Sequence, residues 1–404
     1  MNYLFKKFLS GYKVVMKKMI IVILSLILII LGIRFIFFNT SDDHVSTNEI
    51  AVSEALADDD VTGFERAVGP VSIKFPDALG SHKAFKNEWW YFTGNLVSDE
   101  GSRFGFQLTI FRIGVKPDSE SIQNKWSADN IYMAHFALTD IENNRFYYFE
   151  RFARGAAGLS GASVNPLTVW VEDWKIMESG NELKYGIPTM KINASQDGKE
   201  IDIKLENTKM PVLQGDSGYS RKGRDPGNAS YYFSFTRLKT NGSISINNFN
   251  YKVEGYSWMD KEWSTSSLDS TQAGWDWFAL QLNDGSEIMY YQLRKKDGSP
   301  DIYSSGIIID KSGKTERINF GDAELTVIDY WKSPTGIKYP SKWNLKVSKK
   351  SLDLTITPFQ YDQELKLTIR YWEGAVKLSG KSSDKEVQGK GYAELTGYAN
   401  IPVW

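Results

Sequence analysis

Cysteine is absent from this chain, which excludes structural disulfides, thiolate metal sites and a lipid anchor attached through a cysteine. Histidine is scarce, with three among 404 residues, and no His-Glu-x-x-His or similar spacing occurs. A zinc or iron site would therefore depend on carboxylates, and we predict neither a catalytic metal nor a cofactor. The net charge is −1, which gives no electrostatic reason to expect nucleic acid as a partner.

One long hydrophobic run occurs, near the N-terminus. Residues 19–38 are predominantly apolar, five lysines precede them and two aspartates follow. About 20 apolar residues are enough to cross a bilayer, and the positively charged flank stays in the cytoplasm. We therefore predict a cytoplasmic N-terminus (1–18), a transmembrane anchor (19–38) in the inner membrane and a flexible acidic linker (39–64), with the folded part in the periplasm. A cleaved signal peptide is the alternative, although two bulky phenylalanines end the run where cleavage requires small residues.

Beyond Phe64 the chain breaks into short segments rich in β-branched and aromatic residues. Turn-forming pairs such as Asp197-Gly198 and Asn241-Gly242 separate these segments. No long helical period follows the N-terminal run. Such spacing favours an antiparallel all-β barrel or sandwich.

One pattern of four features occurs twice: a tryptophan, a strand, an acidic-Gly-Ser turn and a second strand that ends on arginine. The first copy spans residues 90–112 and the second spans residues 277–294. A chain of this length is also too long to fold around one ordinary hydrophobic core. We therefore predict two tandem copies of one β unit, with an N-terminal domain over 65–260 and a C-terminal domain over 261–404.

Acidic residues recur beside tryptophans, as in Glu88–Trp90 and Trp258–Asp260. A carboxylate among indole rings is costly unless it is paired or protonated. A carboxyl group that stays protonated at neutral pH can donate that proton to a substrate. These clusters therefore indicate an apolar pocket that contains an acid.

The tryptophan-rich motifs resemble those of the AttH-like family, which includes the bacterial carotenoid 1,2-hydratases (hydroxyneurosporene synthases), between about Val68 and Ala399. The motifs are Glu88–Gly94, Gly105–Gln107, Gln214–Asp216, Ser257–Trp263, Gly274–Phe278, Tyr371–Gly374 and Gly391–Tyr398. The family fold is a tandem pair of lipocalin-like (calycin) antiparallel β-barrels, and the resemblance implies that fold here.

The resemblance also implies a reaction. In the family's hydratases, a Tyr-x-Asp motif supplies the aspartate that is the proposed proton donor. The matching positions here read Trp258-Met259-Asp260, and the hydratases' His-x-Trp pair has no counterpart. The chain is therefore more similar to the branch described as predicted secreted hydrolases, although it has no Gly-x-Ser-x-Gly elbow. By analogy we expect a hydro-lyase-like enzyme that hydrates, isomerises or cyclises an isoprenoid or another apolar small molecule.

The expected site combines acids and aromatic residues. Asp260 is the expected proton donor, and Glu262 and Asp276 are candidate partners that raise its pKa by like-charge repulsion. The expected ligand-binding residues are Trp258, Trp263, Trp275, Trp277 and His135. The plainer alternative places Asp260 in a structural ion pair with Lys261 or Arg237.

Two other functions stay open: a non-catalytic carrier of a lipid or apolar metabolite, and a structural adaptor. Lipocalin-like barrels commonly carry such ligands, and the resemblance also points to ABC-type export systems as partners. A carrier needs a cavity of several hundred cubic ångströms, and an enzyme also needs a carboxylate within reach of the ligand. Glu88, Glu373 and Glu394 are expected to be structural. The sequence assigns the cavity neither to one barrel nor to the seam between them.

Overall fold

The computed structural model describes residues 61–117, 129–265 and 268–399. The predicted cytoplasmic segment, the predicted anchor and most of the predicted linker therefore lie outside the described residues. Within the described ranges, the structure contains no helix with the length and apolar character needed to span a bilayer.

Antiparallel β-strands make up most of the described chain, with single 3₁₀ turns at Asp77–Leu79 and Ser348–Lys350. The first sheet consists of β1 (Asn87–Ser98), β2 (Arg103–Gly114), β3 (Asn130–Asp140), β4 (Arg145–Arg154), β5 (Ser160–Val164), β6 (Leu167–Val171), β7 (Trp174–Lys184), β8 (Ile187–Gln196), β9 (Lys199–Asn207), β10 (Val212–Leu213), β11 (Tyr219–Arg221), β12 (Ala229–Ile246) and β13 (Phe249–Ser264). The second sheet consists of β14 (Gln272–Leu282), β15 (Glu287–Lys295), β16 (Ser305–Ile309), β17 (Thr315–Ile318), β18 (Ala323–Lys332), β19 (Lys338–Val347), β20 (Leu352–Pro358), β21 (Glu364–Lys366), β22 (Arg370–Ser382) and β23 (Lys385–Leu395). The prediction of an all-β fold is confirmed.

The first sheet curls around its own hydrophobic core. Its strands follow the order β4-β3-β2-β1-β13-β12-β9-β8-β7-β6-β5, and β10 and β11 also pair with β12. Strand β6, beside one edge, contacts β2, β3 and β4 near the other edge. The buried side chains of this core include Trp90, Phe106, Phe136, Trp174 and Phe235.

The second sheet has a separate core. Its strands follow the order β17-β16-β15-β14-β23-β22-β20-β19-β18, and β21 pairs with β22. The buried side chains of this core include Phe278, Trp343, Leu354, Trp372 and Leu395. The chain passes from the first sheet to the second between Ser264 and Gln272, so the predicted boundary between residues 260 and 261 falls inside β13.

Each sheet contains one copy of the repeated sequence pattern as a central hairpin. Strand β1 pairs with β2 and with the last strand of its sheet, β13, and β14 pairs likewise with β15 and β23. Each hairpin carries a buried acid–arginine pair: Arg112 Nε lies 2.7 Å from Glu88 Oε2, and Arg294 Nε lies 2.9 Å from Asp276 Oδ1. The internal repeat therefore corresponds to two similar hairpins.

Side chains alternate between the two faces of a strand, so each sheet has an inner face that covers its own core and an outer face. The outer faces of the two sheets pack against each other. In β1, Trp90 points into the first core, whereas Tyr91 belongs to a third apolar cluster that also contains Trp277 of β14. The sheets approach closely at Gly105, where a Cβ atom would lie 2.7 Å from the Cβ of Ala375. The face-to-face contact of the sheets thus forms a seam with its own buried interior.

Candidate active site

A cavity of about 100 Å³ lies at the seam between the two sheets. The first sheet contributes Tyr91, His135, Tyr232, Asp260 and Glu262 to its wall. The second sheet contributes Trp275, Trp277, Tyr291, Tyr371, Glu373 and Glu394. The half-buried Trp89, Phe111 and Leu268 also line it. The cavity is smaller than the several hundred cubic ångströms expected from the sequence.

Asp260 is held in this cavity wall by three uncharged donors. Its side chain is 4% exposed. Oδ2 accepts a hydrogen bond of 2.5 Å from the Tyr232 hydroxyl. Oδ1 accepts bonds of 2.6 Å from Ser234 Oγ and 2.7 Å from Trp258 Nε1. The sheet explains this arrangement, because Ser234 is the direct partner of Asp260 on β12, and Tyr232 and Trp258 lie two residues away on the same face.

Burial raises the pKa of Asp260 to about 7, although the three hydrogen bonds oppose that shift. The nearby Glu262 carboxylate raises this pKa further. A carboxyl group with such a pKa is partly protonated at neutral pH and can act as an acid. The same three donors would stabilise the carboxylate that remains after the proton has left.

Glu262 forms an ion pair with a lysine that the sequence analysis did not predict. Lys222 Nζ lies 3.4 Å from Glu262 Oε1 and 4.0 Å from the centre of the Tyr291 ring. Ser230 Oγ also donates a hydrogen bond to Glu262. Burial alone would lower the pKa of Lys222, but Glu262 and Tyr291 together outweigh burial and raise it. This ion pair therefore carries little net charge into the cavity.

Two further carboxyl groups, Glu373 and Glu394, line the cavity from the second sheet. The Tyr91 hydroxyl donates a 2.5 Å hydrogen bond to Glu373 Oε1, and Trp275 Nε1 donates a 3.1 Å bond to Glu394 Oε1. Burial raises the pKa of Glu394 to about 8. Burial and the neighbouring Glu394 raise the pKa of Glu373 well above its ordinary value. Both residues were expected to be structural, and the structure places them beside the predicted acid.

The AttH-like family model matches residues 66–398 of the chain. The chain belongs to the AttH-like family. An AttH protein from Nitrosomonas europaea is 31% identical, with a TM-score of 0.73 over 83% of this chain and 100% of that one. A kievitone hydratase from Nectria haematococca is 17% identical and shares the fold, with a TM-score of 0.63 over 84% of this chain and 99% of that one. No protein with a curated description matches the chain.

In this AttH-like protein, the alternative ion pairs of Asp260 do not form. Lys261 points to the opposite face of β13 and pairs with Glu88. Arg237 pairs with Glu287 instead. Neither cation is therefore available to Asp260, and the structural ion-pair interpretation is wrong.

Asp276 lies away from the cavity, which corrects its expected role as a partner of Asp260. It follows Trp275 on β14, but its side chain points to the other face of the strand. There it accepts hydrogen bonds of 2.9 Å from Arg294 Nε and from the Tyr398 hydroxyl. These contacts make Asp276 part of the second sheet's own packing.

Two of the four expected tryptophans line the cavity of the AttH-like chain. These are Trp275 and Trp277. Trp258 lies behind Asp260 and holds it through the indole N–H. Trp263 is on the opposite face of β13, where it stacks on His82 with ring centres 3.7 Å apart. Its expected place in the pocket is therefore corrected, because odd-numbered residues of this strand segment face the first core.

His135 lines the cavity and is fixed at both ring nitrogens. Nδ1 lies 2.8 Å from the Tyr371 hydroxyl, and Nε2 lies 3.1 Å from Glu150 Oε1. The ring is buried and its orientation is set by these two partners. Of the eight predicted site residues, the seam thus brings five to the cavity wall: Asp260, Glu262, Trp275, Trp277 and His135.

Proposed function

We propose that this AttH-like protein is an acid–base enzyme that adds water to the branched alkene of an isoprenoid or another apolar small molecule. Isomerisation and cyclisation begin with the same protonation and belong to the same proposal. The observation that carries it is the position of Asp260, a buried carboxyl group that has no cationic partner among the described residues, at the wall of an aromatic cavity. The fold shared with a kievitone hydratase supports hydration among these reactions.

The proposed reaction begins at the carboxyl group of Asp260. The O–H proton forms a C–H bond with the less substituted alkene carbon, using the electron pair of the double bond. The positive charge then develops on the more substituted carbon, where the ring faces of Tyr91, Trp275 and Trp277 can stabilise it. Attack by water and loss of one proton would give a tertiary alcohol. Loss of a proton from a neighbouring carbon would give the isomerised alkene.

The size of the cavity suggests how a ligand would bind. A volume of about 100 Å³ is too small for a whole long-chain molecule. It suits a branched terminal group, with the rest of the ligand leaving past the half-buried Trp89, Phe111 and Leu268. Substrates with a terminal isopropylidene group are therefore the preferred probes.

The finer architecture and the location belong to the same proposal. Each curled sheet with its own core would be one lipocalin-like barrel of the tandem pair known for this family. The apolar run at residues 19–38 would anchor the chain in the inner membrane, with the barrels on the periplasmic side. That location would place the cavity near apolar molecules dissolved in the membrane.

Isotope labelling tests the proposed reaction. Purified protein would be incubated with geraniol, farnesol or squalene in ¹⁸O-labelled water and, separately, in deuterium oxide, and the products analysed by mass spectrometry. We expect one ¹⁸O and one carbon-bound deuterium per hydrated product, and isomerisation would introduce deuterium alone. Asp260→Asn should abolish both labels, whereas Asp99→Asn, in an exposed turn, should retain them.

A carrier would give a different result in the same preparation. Mass spectrometry of protein purified in mild detergent would then detect a bound lipid, while no probe incorporates label into its products. That outcome would favour the carrier, with an ABC-type exporter as its partner, over the enzyme.

A further inference from the structure

Glu373 and Glu394 lie side by side on the second sheet. They are direct partners across β22 and β23, so their side chains project from the same face at neighbouring positions. That face lines the cavity. Glu373 is 1% exposed, and Glu394 keeps a partly accessible surface.

No cation in the described part of the chain balances this pair. No salt bridge between described residues includes either carboxyl group, and the side chains that hydrogen-bond to them, Tyr91, Tyr371 and Trp275, are all neutral. Glu373 Oε2 accepts no hydrogen bond from the part of the chain that the structure describes. Two adjacent buried carboxyl groups cannot both ionise cheaply, so the pair titrates as a unit and keeps a proton at neutral pH. Burial raises the pKa of each glutamate; Glu394 raises that of Glu373 further, and Asp260 and Glu262 raise that of Glu394.

Among the described residues, no cation on the cavity wall pairs with these two glutamates. The titratable side chains around the pair are Tyr91, Tyr371, Tyr392, Asp260 and Glu262. His135 and Arg112 also line the cavity, but His135 is held between Tyr371 and Glu150, and Arg112 is paired with Glu88. The only described lysine among these neighbours of the cavity, Lys222, is occupied by Glu262. The pair therefore gives its side of the cavity a negative potential when it holds a single proton.

We propose that Glu373 and Glu394 form a second proton-transfer site, which accepts the proton released when water adds to the cation generated by Asp260; this role rests on the function proposed above. Asp260 belongs to the first sheet and the glutamate pair to the second, so acid and base would contact the substrate from different walls. The pair's single negative charge would also stabilise the positive charge on the substrate.

Each step of this sequence balances. Asp260 loses its proton to the alkene carbon and becomes a carboxylate. Water oxygen forms the C–O bond to the cationic carbon, and one of its protons passes to the ionised member of the pair. The pair is then fully protonated and the product is a neutral alcohol. Exchange with solvent returns one proton to Asp260 and removes one from the pair.

The proton on the pair can be tested without any substrate. Infrared spectra of protein labelled with ¹³C at the glutamate carboxyl carbons would report the band of protonated glutamate as pH is varied. We expect this band at neutral pH and a decrease in it as pH rises through about 8, the pKa of Glu394. Glu373→Gln and Glu394→Gln should each reduce the band and lower the pKa of the remaining partner, because the like charge is removed. The exposed control Glu254→Gln should leave it unchanged. Absence of the band in the wild-type protein at neutral pH would overturn the shared proton.

Its role in water addition is tested with the isotope probes. In Glu394→Gln we expect ¹⁸O incorporation to fall on the order of 100-fold. Deuterium exchange into the recovered alkene should persist, because Asp260 alone can add and remove a proton. Asp260→Asn should lose both signals, and circular dichroism would confirm that each variant is folded. Wild-type ¹⁸O incorporation in Glu394→Gln and Glu373→Gln would overturn the transfer role. If the wild-type protein converts no probe, the enzymatic function and the transfer role fail together, while the infrared band still decides whether the pair holds a proton.

Discussion

The Tyr232 hydroxyl donates a hydrogen bond of 2.5 Å to Oδ2 of Asp260, and through this hydroxyl the acid of the first sheet is linked to the second. The same hydroxyl oxygen accepts a 3.1 Å bond from the Trp277 indole on β14. Burial raises the pKa of Tyr232 well above its ordinary value, so the phenol keeps its proton and stays a donor at neutral pH. The orientation of Asp260 therefore depends on the packing of the seam as well as on its own strand.

Removing this donor should change the pH range in which the acid works. A hydrogen bond to the carboxylate favours ionisation, so Tyr232→Phe should raise the pKa of Asp260. Since the protonated form is the active one, wild-type activity should be lost as pH rises through about 7. In Tyr232→Phe that loss should move upward by roughly one to two pH units. The measurement is the pH dependence of ¹⁸O incorporation, with Tyr361→Phe, at an exposed tyrosine, as control. An unshifted profile would show that this donor does not set the pKa.

The pH dependence of the free energy of unfolding should reveal the raised pKa of Asp260 without any substrate. Asp260 has a folded-state pKa of about 7 and an ordinary value of 3.8, so the folded protein binds its proton more tightly than the unfolded chain. The resulting stabilisation is present below pH 3.8 and is lost as pH rises through about 7. Asn cannot titrate. The free energy of unfolding of wild type relative to Asp260→Asn should therefore decrease by a few kcal/mol across that window.

Urea denaturation at a series of pH values would measure this difference. Above the pKa of Asp260, the Asn variant should be the more stable of the two proteins. Parallel stability curves would mean that Asp260 has an ordinary pKa and is ionised in the folded protein.

Much of the site could be anticipated from strand periodicity. Along Trp258–Trp263, even-numbered residues share one face, and Asp260 and Glu262 do reach the cavity together. The same rule separates Trp263 from them and separates Asp276 from Trp275, so these two corrections were readable from alternation alone. The all-β class was predictable for the same reason, since short β-branched and aromatic segments alternate with turn signals.

Other features depend on contacts that no local pattern encodes. Which face of β22 meets the first sheet decides whether Glu373 is structural or lines the cavity, and the sequence is silent on this point. The seam also assembles residues that are far apart in the chain, as when Tyr91 donates to Glu373. Lys222 lies in a basic, turn-rich loop, and lysine side chains in such loops are ordinarily exposed to solvent. The sequence therefore did not indicate that Lys222 would be buried at the cavity.

Asp276→Asn should lower the stability of the protein without lowering its catalytic activity. The carboxylate is buried against Arg294 and Tyr398 on the side of β14 that faces away from the cavity. Removing its charge leaves Arg294 buried without its counter-ion, so the free energy of unfolding should fall by about 3 kcal/mol. Isotope incorporation per folded molecule should match wild type, unlike that of Asp260→Asn. Denaturant unfolding combined with activity normalised to folded protein would check both expectations. An Asp276→Asn variant that is stable but inactive would show that Asp276 has a role in catalysis.

Glu88→Gln should be among the most destabilising of the conservative acid-to-amide changes. Glu88 is fully buried and contacts three basic side chains: Arg112 Nε at 2.7 Å, His82 Nδ1 at 2.7 Å, and Lys261. Burial alone would raise the pKa of Glu88, but these neighbours, Lys261 first, outweigh it and hold the pKa below the ordinary range. The carboxylate therefore stays ionised through neutral and moderately acidic pH.

Without that charge, Arg112 and Lys261 would remain buried beside each other with no anion between them. We expect the free energy of unfolding to fall by about 3–5 kcal/mol. The wild-type contribution of this ion cluster should persist on acidification and be lost only as pH falls through the depressed pKa of Glu88. Urea denaturation of Glu88→Gln and of the exposed control Glu254→Gln, at neutral and mildly acidic pH, measures the loss of stability and the persistence of the cluster's contribution on acidification. Equal stability of the two variants would show that the cluster contributes nothing to the folded state.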